Sequence, residues 1–304
     1  MIFVGGLPFS TNNSSWSSSS SQGSDILVAL LEHPVLVSAS HSFKSMEETK
    51  VSVSSETPSP SKYVYVFQRE YATVDPALVD YVGTDEATTC VGLVIRNRRN
   101  RMTSIAHMDN PEIVDIGLCQ MLSLVVDHDL DAELDVFSSE KFHVQTLHVL
   151  GHNTKRDSQG NAYPIFHGFL VKTCTGSLSP ASFDGTSRCP DEMVRRIRVT
   201  SSYEDTSWNG KLLETYDTQT DRFVIAPCRW TVRKLHIVMS LQQLSDEEIL
   251  RRCSTSPSAE GPDFVENLRR QWNYLIKRPD WRETFPWKQP RVFQRAADGG
   301  WRRC

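Results

Sequence analysis

The chain has 304 residues, 33 of them basic and 37 acidic, for a formal charge of −4. That length allows one or two domains with a sizeable core, and the charge balance gives no broad basic surface for nucleic acid. Seven cysteines, at 90, 119, 174, 189, 228, 253 and 304, form no CxxC pair, which argues against a disulfide framework or a zinc site and for reduced thiols in the cytoplasm or also the nucleus. No apolar run approaches the ~20 residues of a membrane span.

Residues 1–7 are too short and lack the basic flank of a secretion signal. The tract 12–21 is serine-rich and acid-poor like a transit peptide but carries no arginine, so it reads as a surface loop. Low complexity over 10–24 predicts a loop that buries little. Asp25 then caps a short helix over 26–31 that Pro34 closes, and Pro58 and Pro60 loosen 52–61. From Tyr63 the chain turns β-rich, with a strand expected over 63–70. A hairpin follows: strand 91–95, polar turn 97–100, return strand 102–108. Helical spacing of the apolar positions 113, 116, 118, 121, 122 and 125 predicts a helix over 113–126. Strands are expected at 132–137, 143–150, 165–173, 195–200, 223–227 and 235–239. Helices follow at 245–252, begun by Ser245, and at 263–277, ended before Pro279; the aromatic and basic tail 285–304 suggests a short hairpin or loop packed back on the fold. Because strands and helices do not alternate, the expected class is α+β with largely antiparallel sheets flanked by helices. The composition divides the chain at residue 62: an N-terminal segment, 1–62, that packs partly on a domain of 63–304.

Chemistry gathers on the hairpin. With the turn centred between Arg98 and Arg99, Cys90 and His107 would be directly opposed, their Cβ atoms roughly 4.5–5.5 Å apart. An imidazole there would take a thiol proton, and its charged form would favour the thiolate. Thr84, Thr88, Thr89 and Ser104 are hydroxyls able to orient the imidazole as a third member. A second motif, 254–262, carries Ser256 and Glu260 between two helices. For a substrate with a free α-amino group, Glu260, Asp85 and Glu86 are the candidate acids. Trp281 and Trp287 read as packing residues, and no histidine pair has convincing metal-ligand spacing.

The motif Gly83-Thr84-Asp85-Glu86-Ala87-Thr88-Thr89-Cys90, the pair Ala106-His107 followed by Asp109, and the run 250–260 together resemble the eukaryotic protein N-terminal asparagine amidohydrolase family, in a plant-like form. More distantly, Cys90 and His107 resemble the pair of bacterial chemoreceptor glutamine deamidases, where a threonine six residues before the cysteine joins in, as Thr84 would here. The resemblance implies a Cys–His deamidase fold and an enzyme that converts N-terminal asparagine to aspartate and ammonia through a cysteine thioester. Cys90, His107 and Thr84 would be catalytic; Asp85, Glu86, Thr89, Ser104, Ser256 and Glu260 would line the substrate. It implies no metal or cofactor, and no nucleic-acid or membrane partner. It implies proteins with a free N-terminal asparagine as substrates, and arginyltransferase or ubiquitin ligase components downstream in the N-degron pathway. After Val136 the family's Val-Gly-Gly-Phe turn and a helix have no counterpart, leaving as alternatives a deamidase of internal glutamine or asparagine, or a weakly active protein that binds N-termini.

Overall fold

In a computed structural model, residues 1–10, 22–52, 61–125 and 141–304 are described. The expected strand at 132–137 and the tracts 11–21, 53–60 and 126–140 lie outside them. The chain divides into two compact units: 1–47 with 127–154, and 48–126 with 155–304. This division runs elsewhere than the compositional boundary at residue 62, because Ile2–Val4 pairs in parallel with the remote strand Phe142–Val144.

In the first unit, helices Gln22–Leu31 and Pro34–Lys44 accompany that small sheet. Pro34 opens the second helix rather than merely ending the first. It sits at a helix start, where the missing N–H costs nothing, and the His33 ring accepts from the Val35 N–H. The segment expected as strand 143–150 is extended only over Phe142–Val144, and a 3-10 turn occupies Leu150–Asn153.

Among the described residues the second unit holds two large sheets, besides the short pairing of Thr154–Arg156 with Ala162–Pro164. One has, in order among the described residues, Thr49–Val51, Ser177–Phe183, Phe169–Lys172, Tyr81–Thr84 and Tyr63–Tyr65. The other runs Trp301–Arg303, Arg291–Arg295, Arg222–Ile225, Leu213–Asp217, Glu70–Val74, Thr103–Met108 and Val91–Arg96. The expected strand 63–70 is therefore broken. Tyr63–Tyr65 belongs to the first sheet and Glu70–Val74 to the second, with the chain crossing at Arg69 in a left-handed conformation, φ 62°. Val64, Val66, Val82 and Val171 from one sheet meet Ala72, Val74, Ile105 and Phe223 from the other in the main core.

Helices Glu192–Ser202, Val232–Leu241, Asp246–Cys253 and Phe264–Lys277 flank these sheets. The first two replace the strands expected at 195–200 and 235–239. Their β-branched residues suit a strand by propensity, but Val194, Ile197, Arg198 and Ser201 fall on one buried helical face, and Thr231 accepts from the Lys234 N–H as a cap. Ser245 and Glu248 form the capping box of the third. The class is α+β, and the antiparallel pairings are joined by parallel ones, among them Leu213–Asp217 with Glu70–Val74 and Tyr63–Tyr65 with Tyr81–Thr84. Of the hairpin or loop expected for the tail, the hairpin forms, from Arg291–Arg295 and Trp301–Arg303. Trp281 is buried as a packing residue, whereas Trp287 is 90% exposed and packs nothing.

Candidate active site

His107 lies on the strand Thr103–Met108, and Gly92, not Cys90, is its opposed residue. The turn runs longer than expected: Arg96 pairs with Thr103, Asn97 N–H donates to the Met102 carbonyl, and Arg101 adopts φ 64° to close the loop. The register consequently moves by two. Pairing ends at Val91 with Met108, so Cys90, half-buried just before its strand, stands beside Asp109 and diagonal to His107. Diagonal neighbours are roughly 7–8 Å apart, near enough for a ring and a thiol to converge on one substrate atom.

A hydrogen bond between sheets fixes the imidazole. Thr84 ends the strand Tyr81–Thr84, and its Oγ1 lies 2.8 Å from His107 Nδ1. In the tautomer that donates Nδ1–H to Thr84, Nε2 carries the lone pair, and Nε2 is buried without a partner. Phe169, paired with Thr84, has its ring against Gly92, the residue opposed to His107. A Cβ on Gly92 would stand 2.2 Å from the Phe169 ring, so only glycine leaves that space. Gly168 is required likewise, since its Cβ would meet the Thr84 carbonyl at 2.3 Å.

This enclosure sets the charge states. Burial lowers His107 to about 4, with Asp109, Glu86 and Glu70 pulling the other way. Burial, reinforced by Asp109 and Glu260, pushes the Cys90 thiol up to about 12, opposed by a hydrogen bond from Thr89. The resting pair is thus a neutral thiol and a neutral imidazole, not the thiolate–imidazolium pair that sequence reasoning expected. Such an imidazole can act as a general base during attack.

The remaining sequence candidates separate cleanly. Asp85 is buried and saturated: Oδ1 accepts from Tyr65 at 2.6 Å, and Oδ2 accepts from the Phe183 N–H at 2.7 Å and from Arg188 at 3.0 Å. Glu86, with φ 61°, is clamped by Arg188 at 2.8 Å and by both Arg196 nitrogens at 2.8 and 2.9 Å. Ser104 lies three residues from His107, so it faces the other side of the strand, where Thr73 Oγ1 donates to it at 3.0 Å. It does not reach the thiol side. Glu260 does, as its effect on Cys90 shows; Ser254 Oγ donates to it at 2.5 Å, and burial raises its carboxyl. Near it, Ser256 Oγ is buried without a partner. Thr89 is exposed at the rim. Sequence reasoning missed Gly92, Phe169 and Asp109 as site residues. The strand parity shared by Gly92 and Asp109 with the Cys90–His107 pair was the available signal. Among the described residues no three His, Cys, Asp or Glu side chains are grouped to hold a metal ion.

A thiol, an imidazole and its orienting hydroxyl, brought together where two sheets meet, define a site equipped for hydrolysis at a carbonyl carbon. The family model for protein N-terminal asparagine amidohydrolase matches residues 53–138 and 136–303. A protein N-terminal asparagine amidohydrolase of Arabidopsis thaliana is 58% identical over 347 residues, covering all of both chains. Those of Mus musculus and Homo sapiens are 30% and 29% identical, each covering 80% of this chain and 84% of its own. The chain belongs to the protein N-terminal asparagine amidohydrolase family. The Arabidopsis alignment of 347 positions exceeds the chain's 304 residues by 43, and the two segments matched by the family model meet at 136–138.

Proposed function

We propose that this chain hydrolyses the side-chain amide of an N-terminal asparagine to give N-terminal aspartate and ammonia, with Cys90 as nucleophile, His107 as base and acid, and Thr84 orienting the ring. The observation that carries this reading is the buried, unpartnered Nε2 of a histidine held at Nδ1 by Thr84, diagonal to a half-buried thiol. Family membership supplies the amide and its position on the substrate.

In the proposed sequence, Cys90 Sγ bonds to the amide carbon as its proton passes to Nε2. The imidazolium returns that proton to the departing nitrogen, and ammonia leaves a thioester. Water then adds to the thioester carbon and gives a proton to His107. Collapse expels the sulfur, which recovers the proton, and the acid is released as carboxylate, its remaining proton passing to ammonia or solvent. Ser256 and Glu260 would contact the substrate from the 254–262 motif, and Thr89 from the rim. Asp85 and Glu86, already paired with arginines, would shape the loop that carries Cys90.

The Thr84 offset from Cys90 supports a fold of the Cys–His deamidase kind. The product would feed arginyl transfer and the ubiquitin branch of an N-degron pathway, and seven unpaired thiols fit a reducing cytoplasmic or also nuclear setting. The test is ammonia release from peptides beginning with Asn, Gln or acetyl-Asn, by the natural chain and by Cys90→Ser. Release from free N-terminal Asn alone, abolished by the substitution, is expected; full turnover by Cys90→Ser would defeat the mechanism. The 43 alignment positions beyond the length of this chain favour one second reading, a weakly active protein that binds N-termini. Binding without ammonia in the same assay would establish it.

A further inference from the structure

We propose that Asp109 is the seat of the substrate's α-ammonium group, with Tyr203 and Gln68 as its positioning residues; this rests on the reading above. Three observations converge on it. The first is place. Pairing of the two strands stops at Val91 with Met108, so the next residues outward, Cys90 and Asp109, flank the same open end of the ladder. In asparagine the α-nitrogen is three bonds from the amide carbon, about 3–4 Å away. An acceptor for that nitrogen must therefore stand within one hydrogen bond of the neighbourhood where the thiol attacks. The register sets Asp109 beside Cys90, where its charge adds to the burial that pushes the thiol up.

The second observation is an unfilled valence. Asp109 Oδ2 accepts from the Tyr203 hydroxyl and from Gln68 Nε2, the latter at 3.3 Å. Oδ1 is buried and has no donor. A buried carboxylate oxygen left bare costs stability unless a ligand completes it. The buried His107 Nε2, two residues back on the strand Thr103–Met108, is bare as well. Two unsatisfied atoms two residues apart match a ligand presenting an ammonium to one and a reacting amide to the other.

The third is the exclusion of rivals. Asp85 and Glu86 already bind arginines. Glu260 also borders the thiol, but Ser254 donates to it and neither of its oxygens is buried and bare. Asp109 is the carboxylate with both access to the thiol and a vacant, desolvated oxygen. Its supports are themselves anchored: the Arg69 guanidinium lies 4.6 Å from the Tyr203 ring centre, and the Arg69 N–H donates to the His107 carbonyl at 2.7 Å. The seat and the base are thereby held to one piece of backbone. An acetylated or internal asparagine brings no cation to Oδ1 and would be refused there.

The experiment compares an Asn-peptide with its des-amino (succinamoyl) analogue, in the natural chain, Asp109→Asn, Tyr203→Phe and Glu260→Gln, with a thermal melt to confirm folding of each. A hydrogen bond to a charged group is worth roughly 10- to 100-fold. The natural chain should prefer the amino peptide by at least that factor in kcat/KM, carried chiefly by KM. Asp109→Asn should collapse the ratio towards one, Tyr203→Phe should lower it partly, and Glu260→Gln should keep it. A ratio preserved in Asp109→Asn, or collapsed by Glu260→Gln alone, overturns the proposal. Should the natural chain release no ammonia from either peptide, the functional reading falls instead. Calorimetric binding of the same two peptides to the natural chain and to Asp109→Asn then still decides the seat by the same ratio.

Discussion

Asp85 and Asp109 stand at two ends of one site, and the structure treats them in opposite ways. Around Asp85, a tyrosine hydroxyl, a backbone N–H and a guanidinium fill both oxygens at 2.6 to 3.0 Å. Around Asp109, one oxygen is held by Tyr203 and Gln68 while the other is buried and bare. The difference teaches where the scaffold stops. A saturated carboxylate has no capacity left for a ligand, and its work is to fix the loop bearing Cys90. An incomplete one is paying a standing desolvation cost that only something absent from the folded chain can offset.

The contrast can be broken or sharpened by substitution. The largest effect is expected at the thiol itself: Cys90→Ala should lower ammonia release by roughly 10⁴-fold or more while leaving the melting temperature near that of the natural chain. A large fall in stability with it would mean that Cys90 is a packing residue. Next comes the saturated side. Asp85→Ala removes one partner of the buried Arg188, which keeps Glu86, and leaves the buried Tyr65 hydroxyl and Phe183 N–H without their acceptor, so it should cost about 3–5 kcal/mol in urea-induced unfolding; a loss of activity with unchanged stability would instead make Asp85 a ligand group. Thr84→Val removes the hydroxyl that fixes the imidazole while keeping its shape. Turnover should fall roughly 10- to 100-fold with little change in KM. Ser104→Ala, on the far face of the same strand, should change turnover by no more than about 2-fold, since its hydroxyl meets Thr73 and not the thiol.

The pH profile probes both halves at once. A His107 base, as proposed, works only when neutral, and with its value lowered to about 4 the rate should rise as pH climbs through that region. The sign for stability follows. Between the ordinary value of roughly 6.5 and the lowered one, the unfolded chain binds a proton that the buried ring refuses, so falling pH in that window destabilises the fold. On the alkaline side a free α-amino group loses its charge near pH ~8, and KM should climb there. An acid limb near 6.5 would show that the ring is solvated in the working enzyme.

Much of this was legible in the sequence, and the gaps have physical causes. The hairpin bearing Cys90 and His107 could be read from alternation and a polar turn. Its register could not, because Arg101 takes a left-handed conformation that lengthens the turn and shifts every pair by two. The far-side position of Ser104 followed from its odd spacing to His107, yet hydroxyl chemistry alone suggested a site residue. Helices at Glu192–Ser202 and Val232–Leu241 read as strands because β-branched residues cluster within both, at Ile197, Val199 and Thr200 and at Ile237 and Val238, and burial of one helical face outweighed propensity. The break at Arg69 was hidden inside an unbroken aromatic run. Asp109 was visible as part of a motif, but the bare oxygen that gives it meaning exists only once Tyr203, from a distant helix end, arrives.

The protonated state of Cys90 has a consequence outside the reaction. Oxidants and electrophiles attack thiolates, and a half-buried sulfur held near 12 by burial and two carboxylates presents almost none at neutral pH. The protein at rest should therefore be a poor target for peroxide, even with the proposed nucleophile a cysteine. An arriving cation would counter the two carboxylates just when the sulfur is required. Reactivity would then come and go with occupancy, and redox durability would be the by-product of that timing.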